Sequence, residues 1–317
     1  MPNSPAIVVL GGPALDMLAR VPYFPRVDGN VVATAIERQP GGVGANVAVG
    51  LARLGNRVTL LGATGDDEAG VWMRQTLAEA GVDVGKLLVR AGQATHSCFI
   101  AVTPHGERII YGLPGTTTVE TPGELNHEAI RAAQALHIAP AFKDVAMAAI
   151  TVARRHGLFI SYAPGDVYWP EGPSTVRQIA RQVDLLIVNR VEAAGLTGLN
   201  DPERAMERLM EWGYGPLVLT RGERGVLVGR RKQIVHIPAY PMPDIEDTTG
   251  AGDAFTAGLV TGSLLELPLT RAARLGTAVA ALKLRQRGAQ AGLPTLEEAL
   301  GLALQQAEAV IPSGDTE

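Results

Sequence analysis

The chain has 317 residues, 46% of them apolar and only 4% aromatic, so it can bury a large core that must rest on Ala, Val, Leu and Ile. Its formal charge of −4, with no long basic run, predicts no nucleic-acid partner, and the lack of an apolar run of about 18 residues predicts no membrane partner. The one cysteine, Cys98, excludes an intrachain disulfide and makes a poor zinc site; with no signal-peptide pattern at the N-terminus, the expectation is a cytoplasmic protein.

Residues 6–10 read as a short buried strand, stopped by Gly11-Gly12-Pro13. The stretch 14–40 differs: scattered prolines, an Asp28-Gly29 turn and short β-type pieces such as 31–36 suggest a small sheet excursion. Helical spacing runs over 44–54 and ends at Gly55 as a C-cap. A strand over 57–63 and a helix over 67–80, closed by Gly81, follow. Between 95 and 111 two strand-like runs flank Pro104-His105-Gly106, a hairpin signature and a second β excursion.

Beyond it strands and helices alternate. Strands are expected over 135–139, 158–162, 184–188 and 217–220, and helices over 143–156, 202–212, 252–265, 269–284 and 296–307. The polar tail 313–317 reads as frayed. This alternation predicts an α/β protein whose mostly parallel sheet is covered by helices on both faces. Ligands of such sheets bind outside the carboxyl ends of the strands. The expected organisation is a core of residues 1–13, 41–94 and 117–317, with 14–40 and 95–116 pairing as a small β lid.

Four motifs carry chemistry. In Asp247-Thr248-Thr249-Gly250-Ala251-Gly252-Asp253 a glycine-rich turn opens a helix. Such a turn aims backbone N–H groups at one point, where the helix dipole also favours negative charge. A phosphoryl group in transfer would be stabilised there, and Asp253 could reach a hydroxyl beside it. Taken alone, Asp253 reads first as a helix cap; the whole segment 247–255 together points to the phosphoryl site. Gly41-Gly42-Val43-Gly44-Ala45-Asn46 lacks the third glycine of a dinucleotide fingerprint and follows no apolar strand, so it suits hydroxyl recognition better than nicotinamide and, standing alone, reads equally as a tight turn with a helix cap. Asn189 and Glu192 share the first turn of a helix after a strand; they fit a hydrated magnesium near phosphates and, equally, a capping box. Thr220-Arg221-Gly222-Glu223-Arg224-Gly225 joins two strands and reads either as a nucleotide loop or as a plain hairpin turn. No Walker A motif, protein-kinase catalytic loop or serine-hydrolase elbow is present.

In their order and separation these motifs resemble the ribokinase (PfkB) family of carbohydrate and nucleoside kinases, from residue 6 to about 298. The resemblance implies a ribokinase-like three-layer sandwich with a small β-sheet lid. It implies an ATP- and magnesium-dependent transfer to a hydroxyl of a sugar or sugar-like molecule. It gives Asp253 the role of catalytic base and Gly250, Ala251 and Gly252 that of anion hole. Asp16, Gly41, Gly42 and Asn46 match substrate-gripping positions. Asn189 and Glu192 match the magnesium and phosphate motif, with Glu192 acting through water. Thr220, Gly222 and Gly225 match the nucleotide loop. Asp247 and Thr249 match part of a monovalent-cation site, whose ion would be potassium. The strand Leu136-His137-Ile138-Ala139 offers no carboxylate where ribokinases carry a glutamate, which counts against ribose. The loop Arg287-Gly288-Ala289-Gln290-Ala291-Gly292 has glycine where ribokinases usually have serine, which weakens the potassium expectation. A nucleoside kinase, with His96, Cys98 or Ile100 facing a base, is the alternative within the family; a non-catalytic sugar or nucleotide sensor is the alternative outside catalysis. A homodimer through the lids is also expected.

Overall fold

The computed structural model describes residues 4–105, 107–165, 172–230 and 233–309, with side chains described to 304 in the last helix. Gly106 of the expected hairpin turn and the tail 313–317 lie outside the described residues. The N-terminal third contains β1 (Ala6–Leu10), β2 (Ala14–Arg20), β3 (Ala35–Gly41), α1 (Val43–Arg53), β4 (Arg57–Leu61), β5 (Ala63–Gly65), α2 (Glu68–Glu79), β6 (Val82–Asp83), β7 (Leu88–Arg90), β8 (Ser97–Val102) and β9 (Arg108–Leu113). The middle contains α3 (His127–Arg131), β10 (Ala135–Ile138), α4 (Lys143–Arg155), β11 (Phe159–Tyr162), α5 (Pro173–Ala180), β12 (Leu185–Asn189), α6 (Arg190–Thr197), α7 (Pro202–Glu211) and β13 (Leu217–Thr220). It ends with β14 (Val226–Arg230), β15 (Gln233–Ile237), α8 (Ala251–Leu264), α9 (Leu269–Lys283) and α10 (Leu296–Ala309).

Nine strands form the main sheet in the order β15-β14-β13-β12-β11-β10-β1-β4-β6. The strands from β13 to β6 pair in parallel, and β14 turns back antiparallel on β13. A parallel strand must bury both faces, and β1 does so by alternation. Ile7 and Val9 join the apolar cluster under α1, α2, α8 and α9, while Val8 and Leu10 join the cluster under α3 to α7. Two such clusters make three layers, the sandwich that the alternating pattern implied.

The two β excursions pair with each other as a separate four-stranded sheet, β3-β2-β8-β9. β2 and β8 run parallel at its centre, and β3 and β9 pair antiparallel at its edges. Two boundaries differ from the sequence reading. The strand expected over 57–63 breaks at Gly62, and Ala63–Gly65 pairs instead with β7 in a two-stranded sheet. The β piece expected over 31–36 falls at Ala35–Gly41, because its register is set by pairing with β2 and not by its own β-branched residues.

Among the described residues, no helix is long and apolar enough to cross a membrane.

Candidate active site

Helices α1 and α8 hold the centre of the site. Gly50 of α1 faces Ala257 of α8 so closely that an added Cβ would lie 2.8 Å from the alanine Cβ. A methyl group there would cost about 1–3 kcal/mol of overpacking. One helical turn earlier on each helix stand Asn46 and Asp253, four residues before the contact pair. That close approach sets their side chains face to face, with Asn46 Nδ2 donating to Asp253 Oδ2 at 2.8 Å. The other end of the Asn46 amide accepts from Gln290 Nε2 at 3.0 Å, which fixes its orientation.

Asp253 is not the cap of α8. The N-cap is Gly250, in the left-handed region at φ 76°, and Asp253 sits on the first turn. Asp253 is half-buried, and the loss of solvent around its carboxyl pushes its pKa up to about 7. The Asn46 hydrogen bond and the nearby Lys283 charge pull the other way. Ala251 N–H turns back on Thr248 O at 3.2 Å, whereas the amides of Gly250 and Gly252 have no protein acceptor among the described bonds. Those donors are the unsatisfied groups that begin any helix, and they lie on the same turn as Asp253.

Asp16 comes from β2 and stands across from Gln39 on β3 and Cys98 on β8. An added Cβ on Gly41 would lie 2.2 Å from Asp16 Oδ2, so only glycine lets this carboxylate rest over the start of α1. Burial raises the Asp16 pKa to about 6, and a hydrogen bond with Cys98 lowers it in part. Register also fixes the neighbours. Opposed residues point to one face, so Leu18, Ile100 and Ile110 share the Asp16 face two residues further along. Gly42, at φ 90°, caps α1 without a side-chain bond.

Asp247 braces the turn. Its Oδ1 accepts from the N–H and hydroxyl of Thr249 at 2.9 and 2.7 Å, and its Oδ2 from Gly288 N–H at 2.9 Å. These bonds hold the carboxyl below the usual aspartate range against the opposing effect of burial.

Asn189 and Glu192 form the capping box that the spacing allowed. Asn189 Oδ1 accepts from the N–H groups of Val191 and Glu192, and Glu192 Oε2 accepts from Asn189 N–H. Thr220 ends β13, and a 3-10 turn over Gly222–Arg224 leads to Gly225 and the antiparallel β14. That loop is therefore a hairpin turn, the structural reading of its sequence. Gly222 and Gly225 both have positive φ, 62° and 74°.

Asp253, Asn46, the turn 247–252, Gly41, Gly42 and Asp16 thus surround the starts of α1 and α8. Asn189, Glu192 and the 220–225 turn stand along the same sheet edge, at the carboxyl ends of β12 and β13. Those strands lie three and four places from β1, about 14 and 19 Å away at normal strand spacing. Two site residues escaped the sequence reading. Gln290 lies in a loop read only as a cation site. Lys283 is a lysine inside an apolar run, Ala280-Ala281-Leu282-Lys283-Leu284, and such a lysine is a signal of a buried charge.

The profile of the pfkB family carbohydrate kinases matches residues 6–296, and the chain belongs to that family of phosphotransferases. It is 32% identical over 305 residues to Fructokinase-1 of Oryza sativa subsp. japonica, covering 89% of this chain and 94% of that one. It is 27% identical over 294 residues to the nucleoside kinase of Methanothermobacter thermautotrophicus, covering 93% and 94%. Among solved structures, a ribokinase II candidate from E. coli, in complex with ATP and Mg2+, superposes with a TM-score of 0.81 at 23% identity over 96% of this chain and all of that one. The chain is accordingly a kinase of a family that acts on sugars or nucleosides.

Proposed function

We propose that the protein transfers the γ-phosphoryl group of ATP to a hydroxyl of a free sugar, with fructose the first candidate. The observation that carries the reading is the Asn46–Asp253 pair beside the unfilled amides of Gly250 and Gly252. A base with a pKa of about 7 is matched to taking a hydroxyl proton near neutral pH. The attacking oxygen then meets phosphorus while the amides of the turn 250–252, Ala251 released from Thr248, receive the charge building on the phosphoryl oxygens.

Asp16, Asn46, Gly41 and Gly42 hold the sugar: two polar side chains accept and donate to hydroxyls over a floor without side chains. The nucleotide runs along the sheet edge toward Thr220, Gly222 and Gly225. Magnesium fits the donor set of one carboxylate, Glu192, beside one amide, Asn189, at the start of α6. An ion that keeps most of its waters needs only one or two carboxylates besides the phosphates. Asn189 and Glu192 are the residues that would stand next to it, Glu192 through water. It would neutralise phosphate charge during transfer.

The lid supplies selectivity and excludes water. Fructose is favoured over a nucleoside because of the fructokinase relative; the lid face around Asp16 carries Cys98, Leu18, Ile100 and Ile110, together with His96, whose Nε2 lies 3.9 Å from Cys98 Sγ. The lid also supports a homodimer. β9 is an edge strand exposed along its entire length, and open edges pair with other edges. Sedimentation as a monomer at micromolar concentration would remove the dimer alone.

The deciding experiment is an ADP-release screen with ATP and magnesium over sugars, sugar acids, sugar phosphates and nucleosides. Turnover on fructose above all nucleosides supports the proposal. A preference for a nucleoside moves the chain to the other branch of the family. Ligand-induced thermal shifts without any turnover would make it a sensor.

A further inference from the structure

Lys283 ends α9 and is fully buried, at 0% exposure. Its ammonium donates to two backbone carbonyls, Asp247 O at 3.1 Å and Gln286 O at 3.4 Å. It makes no ion pair within 4.0 Å of a carboxylate among the described residues. Burying a lysine without such a partner is costly, so the carbonyl seat itself must compensate.

Those two carbonyls belong to the two stretches that enclose the glycine-rich turn. The same stretches are tied by Glu246 N–H on Leu284 O at 2.9 Å and by Gly288 N–H on Asp247 Oδ2 at 2.9 Å. Gly250 rests directly on Ala289, where an added Cβ would meet the alanine carbonyl at 2.6 Å. A positive charge between these stretches therefore fixes the turn that presents the amides of Gly250 and Gly252. The charge of Lys283 also reaches Asp253 and favours its ionised form.

A hard monovalent cation is held by carbonyl oxygens, and a lysine ammonium is a compact point charge of the same sign and magnitude. Resting on the kinase reading above, the geometry points to Lys283 as a built-in monovalent cation, a positioning residue that fills with its own ammonium the seat a potassium ion would take at Asp247 and Thr249. Carbonyls spent on an ammonium are not available to an ion, so the chain works without one.

The test uses the full-length protein, ATP, magnesium and the sugar selected by the screen, at constant ionic strength. Wild-type turnover is expected to agree within about two-fold in tetramethylammonium, sodium and potassium chloride, because no ion site remains to be filled. Lys283→Ala is expected to lose at least about ten-fold in tetramethylammonium, as for loss of electrostatic preorganisation, and to regain most of it, saturably, with ammonium or potassium. Its melting temperature is expected to rise with those two ions and not with tetramethylammonium, while that of the wild type stays level.

Saturable activation of the wild type by potassium would overturn the inference. So would Lys283→Ala with full turnover in tetramethylammonium, or a folded variant rescued by neither ion. If the alanine variant does not fold, Lys283→Met repeats the comparison, and the salt response of the wild type decides on its own. Absence of wild-type turnover in every salt would instead indict the kinase reading.

Discussion

The floor of the site and its lid are built on opposite principles. On the floor, Asn46 and Asp253 are 207 residues apart and Asn46 and Gln290 are 244 apart, yet each pair is held within 3.0 Å, the first by helices whose contact face is small residues and the second by the loop after α9. The lid contributes one carboxylate, Asp16, on a sheet whose edge strand β9 is exposed throughout. The side chains of Asn46 and Asp253 on the floor have fixed partners, whereas the lid face around Asp16 carries the aliphatic residues Leu18, Ile100 and Ile110. In the proposed mechanism preorganised dipoles serve the chemical step. In the same proposal adaptable apolar contacts on the lid serve the choice of substrate. Substitutions on the floor should therefore change turnover, and substitutions on the lid should change which sugar binds and how well.

The comparison breaks first, if it breaks, at Asp253. Asp253→Asn is expected to lower turnover by about 10²–10⁴-fold, the range for loss of a general base, with ATP binding by calorimetry unchanged. Near-wild-type turnover at saturating sugar would take the base away from this residue.

Asn46→Ala sharpens the electrostatic side. The Asn46 hydrogen bond favours the ionised carboxyl, so its loss should raise the Asp253 pKa from about 7. In the proposed mechanism the ionised form is the active base, so activity should be lost as pH falls through that pKa. The acid limb of the turnover profile should accordingly move upward by about one unit, the worth of one hydrogen bond to a charged group. A limb that stays in place or moves down would uncouple the pair.

Glu192→Gln should raise the magnesium needed for half-maximal turnover by about ten-fold, as for a ligand acting through bound water. Glutamine can still fill the third position of a capping box, so the melting temperature should hold. An unchanged magnesium dependence would leave Glu192 as a cap and nothing more.

The smallest effects belong to the lid. Ile100→Ala and Ile110→Ala should raise KM for the preferred sugar by about 3–10-fold and reorder the sugar panel, the scale of lost apolar contact. Turnover should stay within about two-fold, because neither residue touches the reacting atoms. A fall in turnover as large as that for Asn46→Ala would erase the distinction between the two regions.

The sequence alone determined the layers, the sheet edge where the candidate site lies and the turn that opens α8. Each follows from local information: alternation of strand and helix patterns, and a glycine run before an apolar helix. It also placed Asn189 and Glu192 three residues apart, which suffices for a capping box because helical spacing is local. It did not determine where 57–63 breaks or where β3 begins, since both depend on which distant strand supplies hydrogen bonds. Nor could it pair Asn46 with Asp253, seat Gln290 on Asn46 or bury Lys283 against Asp247 and Gln286. Those contacts are set by how closely α1 can approach α8 at Gly50 and Ala257, and by the fold of the loop after α9. That information exists only once the chain has closed on itself, because pairings between distant residues, and the path of a loop, are decided by packing and leave no period in the sequence.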